Sequence, residues 1–376
     1  MCRGRRDVLA GAGGVVVGML GWPWIGAQGA QGAHPPLFVS CGADPAGGYV
    51  VAAIAPDGAV RFERPLPARG HGMAVHPSGA QCVVFARRPG AFAAVLDTAT
   101  GDLRHWIDAA PGRRFYGHGV FSADGRRLFA TENDYGAGRG VLGIYDATDG
   151  YRRLGEVPSH GVGPHDLRLM PDGRTLAVAN GGIRTHPDQP RAKLDIPAMA
   201  PNLTYLDADS GRAVETAGLA PARHKLSIRH LDVNRQGTVA VAMQYEGDRR
   251  DRVPLVGLHR RGGELRLLHA PAPVERRLRH YTGSVAFDSS GAYLAVSSPR
   301  GHVVTLWQAA TGRFLHDIEA IDASGVAPTG RDGEFLVTGG DGVVRVVDAR
   351  SGTATDSTAA DPRMRWDNHL GRLVRA

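Results

Sequence analysis

Five histidines recur in similar surroundings: His71 in "RGHGMAV", His118 in "YGHGVFS", His165 in "GPHDLRLM", His230 in "IRHLDV" and His369 in "DNHLGRL". An imidazole can ligate a transition metal, move a proton near neutral pH, or bond neighbouring backbone. The chain has 16 histidines, so five in equivalent positions exceed chance scatter. The first question is whether a fold brings them to one place.

The elements that would carry them repeat. A turn marker follows each short alternating stretch: "HPSG" at 76, "SADG" at 122, "MPDG" at 170, "NRQG" at 234, "DSSG" at 288 and "GRDG" at 330. A β-rich run follows each turn ("CVVFA", "LFATE", "LAVAN", "VAVAM", "LAVSS", "FLVTG"), then a third run that commonly ends near Asp and Gly. Alternation bounded by such turns marks strands, and four-strand units at regular spacing mark a propeller. Six units are complete. The C-terminal "WDNHLGRLVRA" supplies a first strand and "PLFVSCGADPAGGYVVAAIAPDG" the second and third. The expected fold is therefore all-β, a seven-bladed propeller closed by both chain ends in one blade. The alternative is eight blades, with one hidden in 180–230.

In such a fold the first strand of each blade lines the channel, and its entry loop shares a face with the loop between strands two and three. His71, His118, His165, His230 and His369 then ring the channel mouth, with Gly283 and Gly325 in the other two blades. Aligning the second strands places Cys41, Glu132, Asn180 and Met243 near one level, with Asp134, Gln244 and Glu246 just beyond and Asn133 next to Glu132. Imidazole, thiolate and carboxylate together favour a transition metal over calcium. The expected metal set is His118, His165, His230 and Glu132, and the expected ion is iron or copper. The competing reading is that the histidines stitch blades together and bind nothing. The 180–202 segment is the longest insertion and is expected to overhang this face as a lid carrying His186, Asp188 and Arg191. Cys41 and Cys82 align at opposite ends of their strands, about 13 Å apart at the strand rise, so no disulfide is expected.

The first 33 residues read as a targeting segment: Arg5-Arg6 with Val8-Leu9 behind them, a weakly apolar Gly/Ala/Val stretch, then small residues. The pattern resembles a twin-arginine signal, so a periplasmic protein is expected, with 34–376 as its single domain. The net charge is +7, and losing Arg3, Arg5, Arg6 and Asp7 leaves +5. The basic residues are scattered without stacking aromatics beside them, which argues against nucleic acid. No later stretch is long and apolar enough to span a bilayer, and a monomer is expected.

The stretches "RGHGMAVHPSG", "FYGHGVFSADGRRLFATENDYGAGRGVLGIYDA", "GVGPHDLRLMPDGRTLAVANGGIRTHPD", "LSIRHL", "SGVAP" and "WDNHL" resemble an exported bacterial propeller family, domain of unknown function 1513. The resemblance covers nearly the whole mature chain. It implies a propeller with an export signal, and a role in periplasmic metal acquisition beside imelysin-like iron-uptake proteins. The motif positions it carries over are His71, His118, Glu132, Asn133, Asp134, His165, Asn180, His230 and His369. Asp166 departs from it, since a glutamate is expected there. Three functions stay open: a metal-binding or metal-delivery protein; a metal-dependent hydrolase of lactone type, with Glu132 as base; and a scaffold for an imelysin-like partner. No Gly-x-Ser-x-Gly elbow occurs, which disfavours a serine hydrolase.

Overall fold

A computed structural model describes residues 36–88 and 90–373. The expected export signal lies outside the described residues. Seven four-stranded antiparallel sheets follow one another as blades. Blades 1 to 6 begin with the inner strands Gly70–Val75, Arg113–Phe121, Pro164–Leu169, Leu226–Val233, Ser284–Phe287 and Ala323–Pro328. Blade 7 has Arg365–Leu373 innermost, paired to Leu37–Ala43, with Tyr49–Ile54 and Val60–Leu66 outside it. Both chain ends thus close one blade, as the sequence indicates, and no sheet edge is left open at the junction. The inner strands contact one another in a closed cycle around the channel.

The second strands carry near-continuous apolar runs because both their faces are covered. Thr175–Asn180 and Glu334–Gly339 are examples. Their side chains pack into seven hydrophobic clusters, one per seam between adjacent blades. Side chains such as Phe85, Tyr205 and Trp307 are almost wholly withdrawn from water there, each contributing about 1.5–3 kcal/mol. The fourth strands face solvent and are mostly exposed.

The segment 180–202 adds no eighth blade. It holds a separate hairpin, Arg184–His186 with Gln189–Leu194, paired only to itself. No helix among the described residues is long and apolar enough to cross a membrane. Cys41 and Cys82 are free thiols within one buried cluster between blades 7 and 1.

Candidate functional site

The five histidines come from consecutive blades, 7, 1, 2, 3 and 4. A common device turns them inward. Strand register shifts between Gly70 and Met73, Phe115 and Gly119, Pro164 and Asp166, Ile228 and His230, and across residues 366–370 of blade 7. Each shift is a bulge that leaves one or more inner-strand residues unpaired and re-aims their side chains. His71, His118, His165 and His369 lie within these bulges, and His230 follows one directly. Blade 6 has a bulge near Gly325 but no histidine, and blade 5 pairs regularly from Ser284.

The rings meet in the channel. His369 lies 4.5 Å from His71, 4.6 Å from His118 and 4.7 Å from His230, centroid to centroid. His165 is 4.8 Å from His230 and 5.2 Å from His118. Two overlapping trios, His71/His118/His165 and His118/His230/His369, each offer one nitrogen per ring within 4.8 Å of the others. The glycines beside the rings explain the Gly-His-Gly wording. A Cβ on Gly72 would lie 2.5 Å from the Gly117 carbonyl oxygen and 2.6 Å from His118 Nδ1. Gly117 has φ +106°, and a Cβ there would lie 2.6 Å from the His71 ring.

Electrostatics keep most of this cluster neutral. Burial, then repulsion from the neighbouring imidazoles, holds His71, His165, His230 and His369 well below the usual histidine range. His118 Nδ1 stands 3.2 Å from Asp166 Oδ1. Burial pushes the Asp166 carboxyl up, but Arg168 at 2.6 Å and His118 outweigh it and hold the group ionised. The carboxylate also accepts from the Leu231 amide of blade 4 at 3.2 Å, so it ties three blades. The ring nitrogens His118 Nε2, His230 Nδ1, His369 Nε2 and His71 Nδ1 are buried without a hydrogen-bond partner among the described residues. An unsatisfied buried polar atom costs about 1–3 kcal/mol, so four in one cluster are unusual unless something binds between them.

The other expected residues lie elsewhere. Glu132 is fully buried, but its oxygens accept from Tyr145 Oη at 2.5 Å and Arg153 Nη2 at 2.8 Å within its own blade. It belongs to neither trio. Its strand position put it at the right height, but its side chain lies on a face of the blade and runs over Gly143 to Tyr145 and Arg153 of the outer strands. Asp134 accepts from Arg139 at 2.9 Å and forms an ion pair with Arg113 at 3.1 Å. Asn133 donates to the Thr185 carbonyl at 3.0 Å and so anchors the hairpin. Asn180 donates to Ser159 O at 3.0 Å and Asn202 Oδ1 at 2.8 Å, a bond between segments of blade 3. Cys41 packs against Gly70, and burial, then Asp367, pushes its thiol far up, so it offers no thiolate near neutral pH. His186 and Asp188 sit together on the hairpin at 3.5 Å, away from the rings. The Arg191 side chain lies outside the described residues.

A cavity of about 660 Å³ opens above the rings, with His71, His165 and His230 in its wall. Around them stand Arg69, Arg87, Arg88, Arg229, Arg300 and Lys193, the last brought in by the hairpin. Asp367 pairs with Arg69 and lies 3.4 Å from Arg87. Lys193 pairs with Glu246 at 2.6 Å. These arginines and Asp367 escaped the sequence reading because each occurs in one or two blades and leaves no repeat signature.

A family model described as "Protein of unknown function (DUF1513)" matches residues 64–373. The chain belongs to the DUF1513 family. The DUF1513 match contains all five channel histidines, Asp166 and Asp367, and leaves out Cys41. No curated protein matches the sequence. Among solved structures, the DUF1513 chain is similar to hydrazine synthase from Kuenenia stuttgartiensis, with a TM-score of 0.60 and 17% identity. The match covers 88% of this chain and 99% of that one. At that identity the likeness concerns the fold alone.

Proposed function

We propose that this protein binds one first-row transition metal ion in the channel, on His118, His230 and His369, with His71 and His165 beside them. Two observations carry this: the three rings each offer a nitrogen within 4.8 Å of the others, and each has a buried ring nitrogen without a hydrogen-bond partner among the described residues. Neutral imidazoles suit copper, zinc, nickel and iron. Glu132 is bound within its blade, and Asp166 stands behind His118 rather than among the nitrogens. With no carboxylate in the trio, the donor set is all nitrogen, and copper ranks above iron on such donors. The Asp166–His118 contact is the usual outer support of a metal-bound imidazole. A bound ion would supply charge and an open coordination position.

On this reading the protein is an exported metal carrier of the periplasm. Stoichiometric iron in place of copper would tie it to iron acquisition with an imelysin-like partner. The lactone-hydrolase reading loses support, because Glu132 has both oxygens committed and is not at the rings.

The test is metal content of the native chain, purified without tag or chelator, against a His118→Ala/His230→Ala variant. About one equivalent of copper or iron in the wild type, absent from a folded variant, is the expected result. Equal metal in both proteins, or none after reconstitution with copper, iron or zinc, would assign the histidines to blade stitching.

A further inference from the structure

The charge of the cavity above the rings is not explained by a metal. Six cations line it: Arg69, Arg87, Arg88, Lys193, Arg229 and Arg300, with no acidic residue among the lining. Two carboxylates answer them from behind, Asp367 and Glu246. Among the described residues, neither Arg88 nor Arg300 has a carboxylate within 4.0 Å. Arg229 reaches Glu246 only at 3.9 Å, and its Nε is buried without a partner. Arg300 stacks on Tyr281 at 4.3 Å, which leaves its N–H edge free. Arg88 is exposed and feels the like charges of Arg229 and Arg87. Like charges held together in a concave site are unfavourable unless an anion is bound there.

The groove next to it, about 970 Å³, shares Lys193 and Arg300, but Glu246, Asp251 and Glu275 line it too. Its Lys193, Arg250 and Arg252 pair with Glu246, Asp248 and Glu275, and its other arginines are exposed to water. The cavity above the rings instead keeps its excess around the buried Nε of Arg229.

We propose that this cavity is a binding site for a small polyanion carrying two or more oxyanion groups. Arg88 and Arg229 hold one group, Arg300 holds another, and the neutral His71, His165 and His230 border the ligand from below. Guanidinium forks match carboxylate and phosphate oxygens two at a time. The volume suits a small metabolite. The site rests on the cations and needs no metal on the rings. Where the proposed metal is present, the same charge would repel the bare cation and admit it as an anionic chelate.

The experiment is calorimetric titration of the metal-free full chain at low salt with tricarballylate and, separately, with pyrophosphate. The neutral triamide of tricarballylate is the control. The His118→Ala/His369→Ala variant, which removes two of the trio and no residue lining the cavity, is titrated in parallel, so that loss of the metal reading and loss of this one are read independently. Saturable binding of at least one anion is expected, weakened about tenfold or more in Arg88→Gln and in Arg300→Gln. Binding should fall with salt and be absent for the triamide. Preference for tricarballylate assigns a polycarboxylate; preference for pyrophosphate assigns a phosphorylated ligand. Arg88 and Arg300 are both exposed, so neither substitution removes a buried side chain. No binding of either anion, or equal affinity in wild type and both variants, would overturn the proposal.

Discussion

The His118 imidazole and the Asp166 carboxylate meet across the seam between blades 2 and 3, Nδ1 to Oδ1 at 3.2 Å. The carboxylate faces Nδ1, while Nε2 is buried with no hydrogen-bond partner among the described residues. Asp166→Asn removes the charge and keeps the shape. Copper affinity should fall about 10- to 100-fold, while His118→Ala should lose more. Competitive titration against a chromophoric chelator reads both. Unchanged affinity in Asp166→Asn would separate the carboxylate from any metal role.

Stability should depend on pH through the other four rings. His71, His165, His230 and His369 are held well below their unfolded range. The unfolded chain therefore binds protons that the folded chain refuses. The stabilisation is present above about pH 6.5 and is lost as pH falls below it. Urea midpoints for the metal-free protein should hold between pH 8 and 7 and drop steadily toward pH 5. Replacing His71 and His369 with Gln should flatten that slope. A slope unaltered by the double substitution would place the titration elsewhere.

Gly72→Ala tests the packing of the rings against the backbone. Its Cβ would press on Gly117 O and His118 Nδ1. Overpacking of this kind costs about 1–3 kcal/mol, and His118 is the side chain that must move. Both the thermal midpoint and the bound metal should fall. Loss of stability with full metal occupancy would show that His118 is not held by this contact.

Glu132→Gln should behave in the opposite way. It weakens the Tyr145 and Arg153 bonds inside blade 2, at a cost of about 1–3 kcal/mol. Metal stoichiometry and copper affinity should stay at wild-type values. A matching loss of metal would bring Glu132 back as a ligand.

The contrast between Glu132 and His118 shows what the chain made readable. The blades repeat because each must bury the same alternating strands and turn at the same places, and that periodicity survives in residues such as Gly79, Gly125 and Gly173. The recurrent histidines are part of the same repeat and could be found with it. Their inward aim depends on bulges, which need an unequal count on two paired strands and so are not visible in either strand alone. Alignment gave Glu132 its height along the strand; the facing side came from pairing with Phe115 and Val141. Arg229 comes from the inner strand of blade 4, Arg88 and Arg300 from the segments after the second strands of blades 1 and 5, and only their convergence makes them a site.

Blade 7 carries a consequence for assembly. Its inner strand, Arg365–Leu373, follows every other strand in the chain, yet it supplies His369, a member of the bare-nitrogen trio. Until that strand docks onto Leu37–Ala43, a ring of four imidazoles lies open on one side. Closing the circle and completing the imidazole trio are then a single event. An ion held by the trio would fasten the last strand in place, acting as a latch that registers a completed molecule.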